Sequence, residues 1–394
     1  MTQRSVLISG AGLAGPALAY WLHRHGLRAT VVERAPALRD GGYKVDIRGA
    51  ATEVLKRMGL YEQARAADTG MQTVTYVKAD GGRIATLEAD LLMGRRGDDL
   101  EVMRTDLTRI LHDATATDTE YLFGDSIDTL DEDADGVTVT FTSGMSRRFD
   151  LVVGADGLHS KTRRAAFGEV PLRHLGAYIS IFDVPEDLGL DREEVFFSAP
   201  GRMVFAYSTG PGIPAKVGMV FASPEQSFAD PRAELRKRFA GMGWRVDEFL
   251  AALDGVDDLY FDSMSQVEMP RWSRGRVVLL GDAAYCPSPS SGQGTSLALV
   301  GAYVLADALA SSSAHEEAFS LYESGLRAYV EKNLAYGRKM ASDMVPGGRL
   351  QIGFRNYGMR TLRFNPWKRQ IIDMVTRPLQ EAANAVSLPR DAAA

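Results

Sequence analysis

The sequence predicts an α/β protein: a parallel sheet covered by helices, an antiparallel-sheet domain interleaved with it, and a C-terminal helix. The first observation is an N-terminal strand, glycine turn, helix and strand. The second is that segments 149–168 and 276–309 again run from an apolar strand through an Asp-Gly or Gly-Asp pair into a helix. The third is that residues 71–100 and about 171–270 contain alternating segments separated by turn signals such as "APGR" and "GPGIP", a pattern typical of antiparallel strands.

Length and composition narrow the class of protein. The chain of 394 residues is long enough for two or three domains, and 45% hydrophobic with 24% charged residues is ordinary for a globular protein. A formal net charge of −6 disfavours nucleic acid as a partner. The single cysteine, Cys286, supplies no disulfide or metal cluster and is expected to be a buried packing residue, which fits a cytoplasmic location. Neither a signal peptide nor a membrane span is expected.

The N-terminal stretch "SVLISGAGLAGPALAYWLHRHGLRATVVERA" predicts a Rossmann-like βαβ unit that binds a dinucleotide. In a GxGxxG turn the first glycine allows a tight turn, the second lets backbone approach a pyrophosphate, and the third lets the helix pack on the strand. An acid at the end of the second strand is placed to accept from a ribose 2′-hydroxyl, which favours FAD or NAD over NADP at this site. The candidate residues are Gly10, Gly12, Leu13, Ala14, Gly15, Glu33 and its neighbour Arg34.

The segments "FDLVVGADGLHSKTRRAAFG" and "RVVLLGDAAYCPSPSSGQGTSLALVGAYVLADAL" both place Asp at the carboxyl end of a strand, where open α/β sheets hold ligands. Together with the first motif they make the chain resemble the single-component FAD-dependent monooxygenases of the p-hydroxybenzoate hydroxylase type. These enzymes carry GxGxxG, a central GADGxxSxxR motif and a later Gly-Asp motif, in this order. The chain is also similar to tetracycline-oxidising and polyketide-hydroxylating members of that class.

The resemblance implies a set of FAD-binding residues. Asp282, after Gly281, would bind a ribityl hydroxyl, and Arg104 would lie near the ribityl chain and phosphates. Asp156 and Gly157 would support the pyrophosphate region and the path of a visiting nicotinamide nucleotide. The isoalloxazine ring would pack on a loop followed by a helix N-terminus, whose residues are Pro287, Pro289, Gly292, Gln293, Gly294 and Thr295. Relatives often have His where this chain has Tyr285, so the role of that side chain stays open.

The implied reaction is hydroxylation of an aromatic or polycyclic, polyketide-like small molecule. NAD(P)H would reduce FAD, and O2 would add to form a flavin C4a-hydroperoxide that transfers hydroxyl. Since no second GxGxxG occurs, the pyridine nucleotide is expected to visit the FAD domain transiently. The cofactor carries this chemistry, so no catalytic side chain and no metal ligand is predicted. The substrate, the choice of NADH or NADPH and the oligomeric state are left open.

The implied domains are an FAD-binding domain at 1–70, 101–170 and 271–330, a substrate domain at 71–100 and 171–270, and a C-terminal helical segment at 331–394. In the substrate domain, alternating residues share one face of a strand. That face either forms the core of the sheet or walls a cavity for a flat apolar ligand. The substrate candidates are Phe196, Phe205 and Tyr207.

Two parts of the chain have open alternatives. Asp46 and Arg48, which follow a Gly-Gly loop, either face the flavin or nicotinamide or form surface salt bridges. The segment 338–377 carries nine Lys or Arg residues against two Asp residues. It either attaches to a membrane surface or braces the two domains with its charges in water, and it could also close the substrate cavity.

Other functions compete with hydroxylation for this sequence. The first rival is an FAD halogenase or oxidase, and the halogenase is disfavoured because no Trp-x-Trp-x-x-Pro signature occurs. The main alternative is a flavoprotein whose FAD is structural and whose cavity binds or cyclises a small molecule without net redox, because fold alone does not decide function. A binding module without flavin is the remaining alternative.

Overall fold

The computed structural model describes residues 4–39, 41–185, 187–225, 227–362 and 364–390, and within them the chain forms strands in four sheets. The strands are β1 (Ser5–Ser9), β2 (Arg28–Glu33), β3 (Lys44–Ile47), β4 (Thr73–Val77), β5 (Arg83–Glu88), β6 (Leu100–Met103), β7 (Glu120–Phe123), β8 (Ile127–Glu132), β9 (Val137–Phe141), β10 (Ser146–Phe149), β11 (Leu151–Gly154), β12 (Arg173–Val184), β13 (Glu193–Ala199), β14 (Arg202–Ser208), β15 (Ala215–Ala222), β16 (Tyr260–Gln266), β17 (Ser273–Arg274) and β18 (Val277–Leu279).

The α-helices cover the sheets and form the C-terminal part of the chain. They are α1 (Ala14–Arg24), α2 (Ala50–Arg57), α3 (Tyr61–Ala66), α4 (Ala89–Met93), α5 (Arg104–Asp113), α6 (Lys161–Phe167), α7 (Pro231–Phe239), α8 (Val246–Ala252), α9 (Asp282–Tyr285), α10 (Gly294–Ser311), α11 (His315–Met344), α12 (Arg349–Leu362) and α13 (Lys368–Ala383).

The first sheet has the strand order β17-β18-β11-β1-β2-β7. All its neighbours are parallel except the short edge strand β17, which runs antiparallel to β18. Its central strands are buried on both faces, as parallel strands covered by helices are. The α/β class and the parallel sheet predicted from the three strand-to-helix units are confirmed.

The second large sheet has the order β16-β12-β15-β14-β13-β4-β5 and joins strands from 71–100 with strands from 171–270. Its pairs are antiparallel except one, since β4 runs parallel to β13. The predicted antiparallel sheet is confirmed, with this parallel pair as its one exception among the described strands. Turn signals fix the direction of strands that follow each other in a hairpin, but β4 precedes β13 by more than 100 residues, so no hairpin determines how they pair.

The two faces of this sheet have different partners. Val217, Met219 and Phe221 lie on the face that packs against α7 and α8 and form a core there. Met203 and Phe205 lie on the opposite face, in a cluster that also contains Tyr43 and Tyr260. The core interpretation therefore holds for the β15 residues, and the other face turns toward the FAD-binding motifs.

The described residues of the C-terminal part form three helices, where the sequence predicted one long helix followed by an aromatic and basic segment. The expected boundary at residue 330 falls inside α11, which continues to Met344. A break at Pro346, Gly347 and Gly348 follows, and the aromatic and basic segment then forms α12 and α13. Contacts with β5, β13, α4 and α11 support these two helices, and such tertiary support is not visible in a local pattern.

Candidate FAD and substrate site

The three predicted motifs meet at one edge of the parallel sheet. Strands β18, β11 and β1 are neighbours and run in the same direction. The turn at Gly10, the loop at Asp156 and the loop at Asp282 each follow the carboxyl end of one of these strands. Segments separated by more than 100 residues in sequence thus form one surface, at the place where open α/β sheets bind ligands.

The glycines of the first turn are required by close backbone packing. Gly10 has φ of 110°, and a Cβ there would lie 2.5 Å from the Ala155 carbonyl oxygen. A Cβ on Gly15 would lie 1.9 Å from the Gly10 carbonyl oxygen, so α1 packs directly on the turn. A Cβ on Gly12 would meet only Arg104, whose Nη2 is 3.6 Å away. Gly12 therefore borders open space in which a ligand can approach the backbone.

The N-terminus of α1 offers free donors toward this space. The helix begins at Ala14, after Leu13, and no side chain caps it. Its first N–H groups therefore favour an anion such as a diphosphate. The Glu33 carboxylate accepts from the backbone N–H groups of Ala11 and Ala35, both at 2.9 Å. Each oxygen keeps a lone pair for a ribose hydroxyl, whereas Arg34 is exposed.

Asp282 is the first residue of α9 and follows Gly281, which has φ of 63°. A Cβ on Gly294 would lie 3.6 Å from Asp282 Oδ1, so the carboxylate faces the start of α10. Burial raises the pKa of Asp282, and a hydrogen bond from the Cys286 thiol and the positive charge of Arg104 oppose that shift. Within the described residues no ion pair compensates this desolvation, which is typical of a group that binds a ligand.

The loop before α10 packs against helix α11 on one side. A Cβ on Gly337 of α11 would lie 2.1 Å from the Pro287 carbonyl oxygen, and Ser290 Oγ donates to the Gly337 carbonyl at 2.9 Å. Beyond the short 3-10 turn that starts at Pro289, Gly292 has φ of 62°. Gln293 is fully buried, and its Oε1 has no hydrogen-bond partner within the described residues. An orphan buried acceptor and the open backbone at Gly12 fit a bound FAD.

Asp156 has a structural task in this arrangement. Its Oδ2 accepts from the backbone N–H and the hydroxyl of Thr162, at 2.9 and 3.0 Å, and its Oδ1 accepts from Ser160. It therefore stabilises the start of α6. Arg163 of that helix donates to the Ala283 carbonyl at 2.9 Å and so ties the second motif to the third. A supporting role of Asp156 and Gly157 in cofactor binding stays a prediction.

Two tyrosines that sequence reasoning did not select lie between the FAD motifs and the second sheet. The backbone carbonyl of Tyr43 accepts a hydrogen bond from the backbone N–H of Arg104 at 3.0 Å. The ring centroid of Tyr43 lies 5.3 Å from that of Tyr260 on β16. Burial raises the pKa of Tyr43, with Arg104 opposing the shift and Asp282 adding to it. In the sequence, only the position of Tyr43 after Gly41 and Gly42 indicates that it lies near the cofactor, and no local pattern indicates this for Tyr260.

The predicted substrate residues form a row of aromatic rings on the inner face of the second sheet. Phe196 is paired in register with Tyr76 on one side and with Phe205 on the other. The ring centroids are 5.6 Å apart for Tyr76 and Phe196, 5.8 Å for Phe196 and Phe205, and 6.5 Å for Phe205 and Tyr207. Phe196 and Phe205, in the middle of the row, belong to the cluster that contains Tyr43, and they also pack in a neighbouring cluster with Tyr76 and Tyr207.

Charged groups stand at both ends of this aromatic row. At one end Lys44 Nζ lies 2.8 Å from Glu194 and 3.1 Å from Glu101. Burial opposes the charge of Lys44, but the two carboxylates outweigh it and raise its pKa. At the other end Arg355 of α12 lies 5.5 Å from the Tyr76 ring centroid, and its Nε has no hydrogen-bond partner in the described part of the chain.

Asp46 and Arg48 belong to a buried network rather than to the surface. Arg48 is only 2% exposed, and its Nη2 lies 2.8 Å from Asp46 Oδ1. A Cβ on Gly292 would lie 3.7 Å from Asp46 Oδ2, so Asp46 borders the loop assigned to the flavin. The alternative of surface salt bridges is wrong for this pair.

Comparison with known proteins decides the family. The profile of the FAD binding domain family matches residues 3–342. The chain belongs to this family. It is 42% identical over 355 residues to an uncharacterized protein of Mycobacterium tuberculosis, covering 88% of this chain and 94% of that protein. It is 41% identical to a flavin-dependent monooxygenase from an unknown prokaryotic organism, covering 85% of this chain and 88% of that one.

A solved structure agrees with these relatives. The crystal structure of the tetracycline destructase Tet(55) superposes with a TM-score of 0.87 at 36% identity, and 99% of each chain is covered. The prediction of an FAD-dependent monooxygenase is confirmed at the level of the enzyme class. Use of NAD(P)H, the substrate and the roles of single residues remain predictions.

Two expectations and one open question about this flavin-dependent monooxygenase concern Cys286, Tyr285 and membrane spans. Cys286 is 4% exposed in the core, as predicted. The Tyr285 hydroxyl lies 2.9 Å from that of Tyr322, and the Tyr285 ring packs against Trp272, so Tyr285 belongs to the core rather than to the flavin loop.

Among the described residues α10 alone is long and apolar enough for a membrane span, but 78% of it is buried inside the protein, as in the core helix of a soluble protein.

Proposed function

We propose that this enzyme uses NAD(P)H to reduce its FAD and hydroxylates an aromatic or polycyclic, polyketide-like small molecule. The observation that carries the proposal is the aromatic row from Tyr76 to Tyr207, which lies on the sheet face turned toward Tyr43 and the converged FAD motifs. Flat apolar ligands bind in cavities lined by such rings with a few polar groups. A structural match to a tetracycline destructase supports a polycyclic substrate.

The residues of this chain would act by binding and positioning. When bound, FAD supplies the redox chemistry and the activation of oxygen. The open backbone at Gly12 and the N-terminus of α1 would hold its diphosphate, and Asp282 would accept from a ribityl hydroxyl. The loop from Pro289 to Gly294 would support the ring, with N–H groups of α10 at its edge. The aromatic row would keep water away from the reacting carbon.

Arg355 indicates what the substrate carries besides rings. Burial lowers the pKa of its guanidinium, yet no carboxylate of the described residues forms an ion pair with it, and Tyr76 is its aromatic partner. A half-buried cation without an anion is unfavourable until one is supplied. We infer that the substrate presents an enolate, phenolate or carboxylate oxygen to Arg355.

The test is reduction and oxygen transfer with the FAD-loaded protein. NADPH or NADH is mixed anaerobically with the enzyme, with and without tetracycline or 1-hydroxy-2-naphthoate, and the visible absorbance of the flavin is followed. Loss of the oxidised flavin spectrum, faster with the aromatic compound, followed by incorporation of one atom from ¹⁸O₂ into it, is expected. If the flavin stays oxidised with every donor and compound, the alternative of a structural FAD is correct instead.

A further inference from the structure

The outer side of the C-terminal helices is unusually apolar for a surface. Ten large hydrophobic residues of the described chain are exposed, and seven of them lie between 350 and 375. Their exposed fractions range from 63% to 81%, and the residues are Leu350, Phe354, Tyr357, Phe364, Trp367, Met374 and Val375. Concentrated patches of this kind mark an interaction surface, whereas scattered single residues do not.

The helix α12 has one side that packs on the protein and one apolar side that is exposed. Ile352, Arg355 and Met359 are half-buried on the side that packs toward β5 and β13. Leu350, Phe354 and Tyr357 follow the spacing of four and three residues that places side chains on one stripe of a helix. This stripe is exposed, and α12 has no fully buried residue. The stripe is therefore not needed to hold the helix on the protein.

The charge around the stripe is strongly positive. Residues 349–377 contain seven Lys or Arg residues and one acid, Asp373, although the whole chain carries a net charge of −6. Arg349, Arg360 and Arg369 are exposed beside the apolar stripe and the turn at Trp367. A symmetric contact with a second copy would bring this positive surface against itself, which electrostatics disfavours.

We propose that the outer side of α12 and the following turn bind reversibly to the surface of an anionic lipid bilayer. Phe, Tyr and Trp are favoured at the depth of lipid head groups, and exposed Arg and Lys are attracted to anionic lipids. An apolar stripe flanked by basic residues is the pattern of helices that lie in the membrane interface without spanning it. The opposite side of the same helix carries Arg355 against Tyr76, so lipid binding takes place on the helix that borders the aromatic row.

The experiment is flotation of the full-length, FAD-loaded protein with vesicles. One set is phosphatidylcholine alone, and the other contains about one quarter phosphatidylglycerol, each at about 0.1 M and about 0.5 M NaCl. Binding only to the anionic vesicles, weakened at high salt, is expected. Phe354→Ser with Tyr357→Ser should abolish it, and Arg349→Gln with Arg360→Gln and Arg369→Gln should weaken it on the order of 100-fold.

The matched control is Met145→Ser with Ile213→Ser, which removes two exposed apolar side chains elsewhere on the protein and should leave flotation unchanged. All variants are compared at equal FAD content, so that loss of folding is separated from loss of lipid binding. Absence of binding to anionic vesicles would overturn the proposal, as would equal, salt-insensitive binding to both vesicle types. A concentration-dependent dimer that the Phe354 and Tyr357 variant abolishes would also overturn it and assign the surface to a second copy.

Discussion

At the scale of single residues, the structure distinguishes carboxylates that serve the fold from one that is free for a ligand. Asp156 accepts three hydrogen bonds at the start of α6. Asp282 is half-buried, and desolvation raises its pKa against a hydrogen bond from the Cys286 thiol and the charge of Arg104. Both residues stand just after the end of a strand, Asp156 in a Gly-Ala-Asp sequence and Asp282 in a Gly-Asp sequence, so only the packing separates their roles.

Asp282→Asn should therefore weaken FAD binding while leaving the fold intact. Loss of one charge-assisted hydrogen bond corresponds to a dissociation constant about 10- to 100-fold larger. Titration of the apoprotein with FAD, followed by flavin fluorescence, measures this change. Asp128→Asn on the exposed side of β8 is the control. An unchanged dissociation constant in Asp282→Asn would show that the carboxylate does not contact the cofactor.

Arg355→Met should remove the preference for an acidic ligand. The wild type is expected to bind 1-hydroxy-2-naphthoate more tightly than 1-naphthol by about 10- to 100-fold, because a carboxylate can pair with the half-buried guanidinium. The variant should bind both compounds equally. Perturbation of the flavin spectrum by each compound gives the affinities, and Arg360→Met, at an exposed position of α12, is the control. If the variant keeps the preference, Arg355 does not face the ligand.

At the scale of elements, the inner face of the second sheet depends on a missing side chain. Gly218 of β15 is paired in register with Phe205 of β14. A Cβ on Gly218 would lie 2.0 Å from Phe205 Cζ, so the ring lies directly over the glycine. Because Gly218 has no side chain, the Phe205 ring can lie close to the sheet. The aromatic row is built from three paired strands, β4, β13 and β14, rather than from one.

Gly218→Ala should displace the Phe205 ring and damage the substrate side without affecting the FAD side. Overpacking of this kind costs about 1–3 kcal/mol, which urea unfolding will measure. Aromatic ligands should bind more weakly, whereas FAD affinity should stay at the wild-type value. Gly255→Ala, where a Cβ would meet nothing within 4 Å, serves as the control. Equal effects of the two substitutions would contradict the packing argument.

The elements also show what a sequence can and cannot reveal. The turn at Gly10 and the loops at Asp156 and Asp282 were predictable because each is a local strand–turn–helix pattern, and the sheet rule predicts where their strand ends meet. The roles of Tyr260 and Gly337 were not predictable, because they depend on contacts between elements that are distant in sequence. The same holds for the parallel pairing of β4 with β13.

At the scale of the whole molecule, one contact joins the loop after β11 to the second sheet. His159 Nε2 lies 3.0 Å from Asp262 on β16, and the His159 side chain is 61% exposed. The hydrogen bond with Asp262 raises the pKa of His159, while burial, Arg163 and Arg34 act in the opposite direction. The pair connects the loop of the GADGxxSxxR motif with the strand that carries Tyr260.

This contact predicts a small pH dependence of stability. Because the pKa of His159 is raised in the folded protein, the stabilisation is present below the ordinary histidine pKa of about 6.5 and is lost as pH rises through the folded value. Since the His159 side chain is largely exposed, we expect less than about 1 kcal/mol. Urea unfolding at about pH 6 and about pH 8.5, on either side of the histidine range, should show a larger loss in the wild type than in His159→Gln. His25→Gln, outside this contact, should behave like the wild type; if His159→Gln does so as well, the pair does not hold the two sheets together.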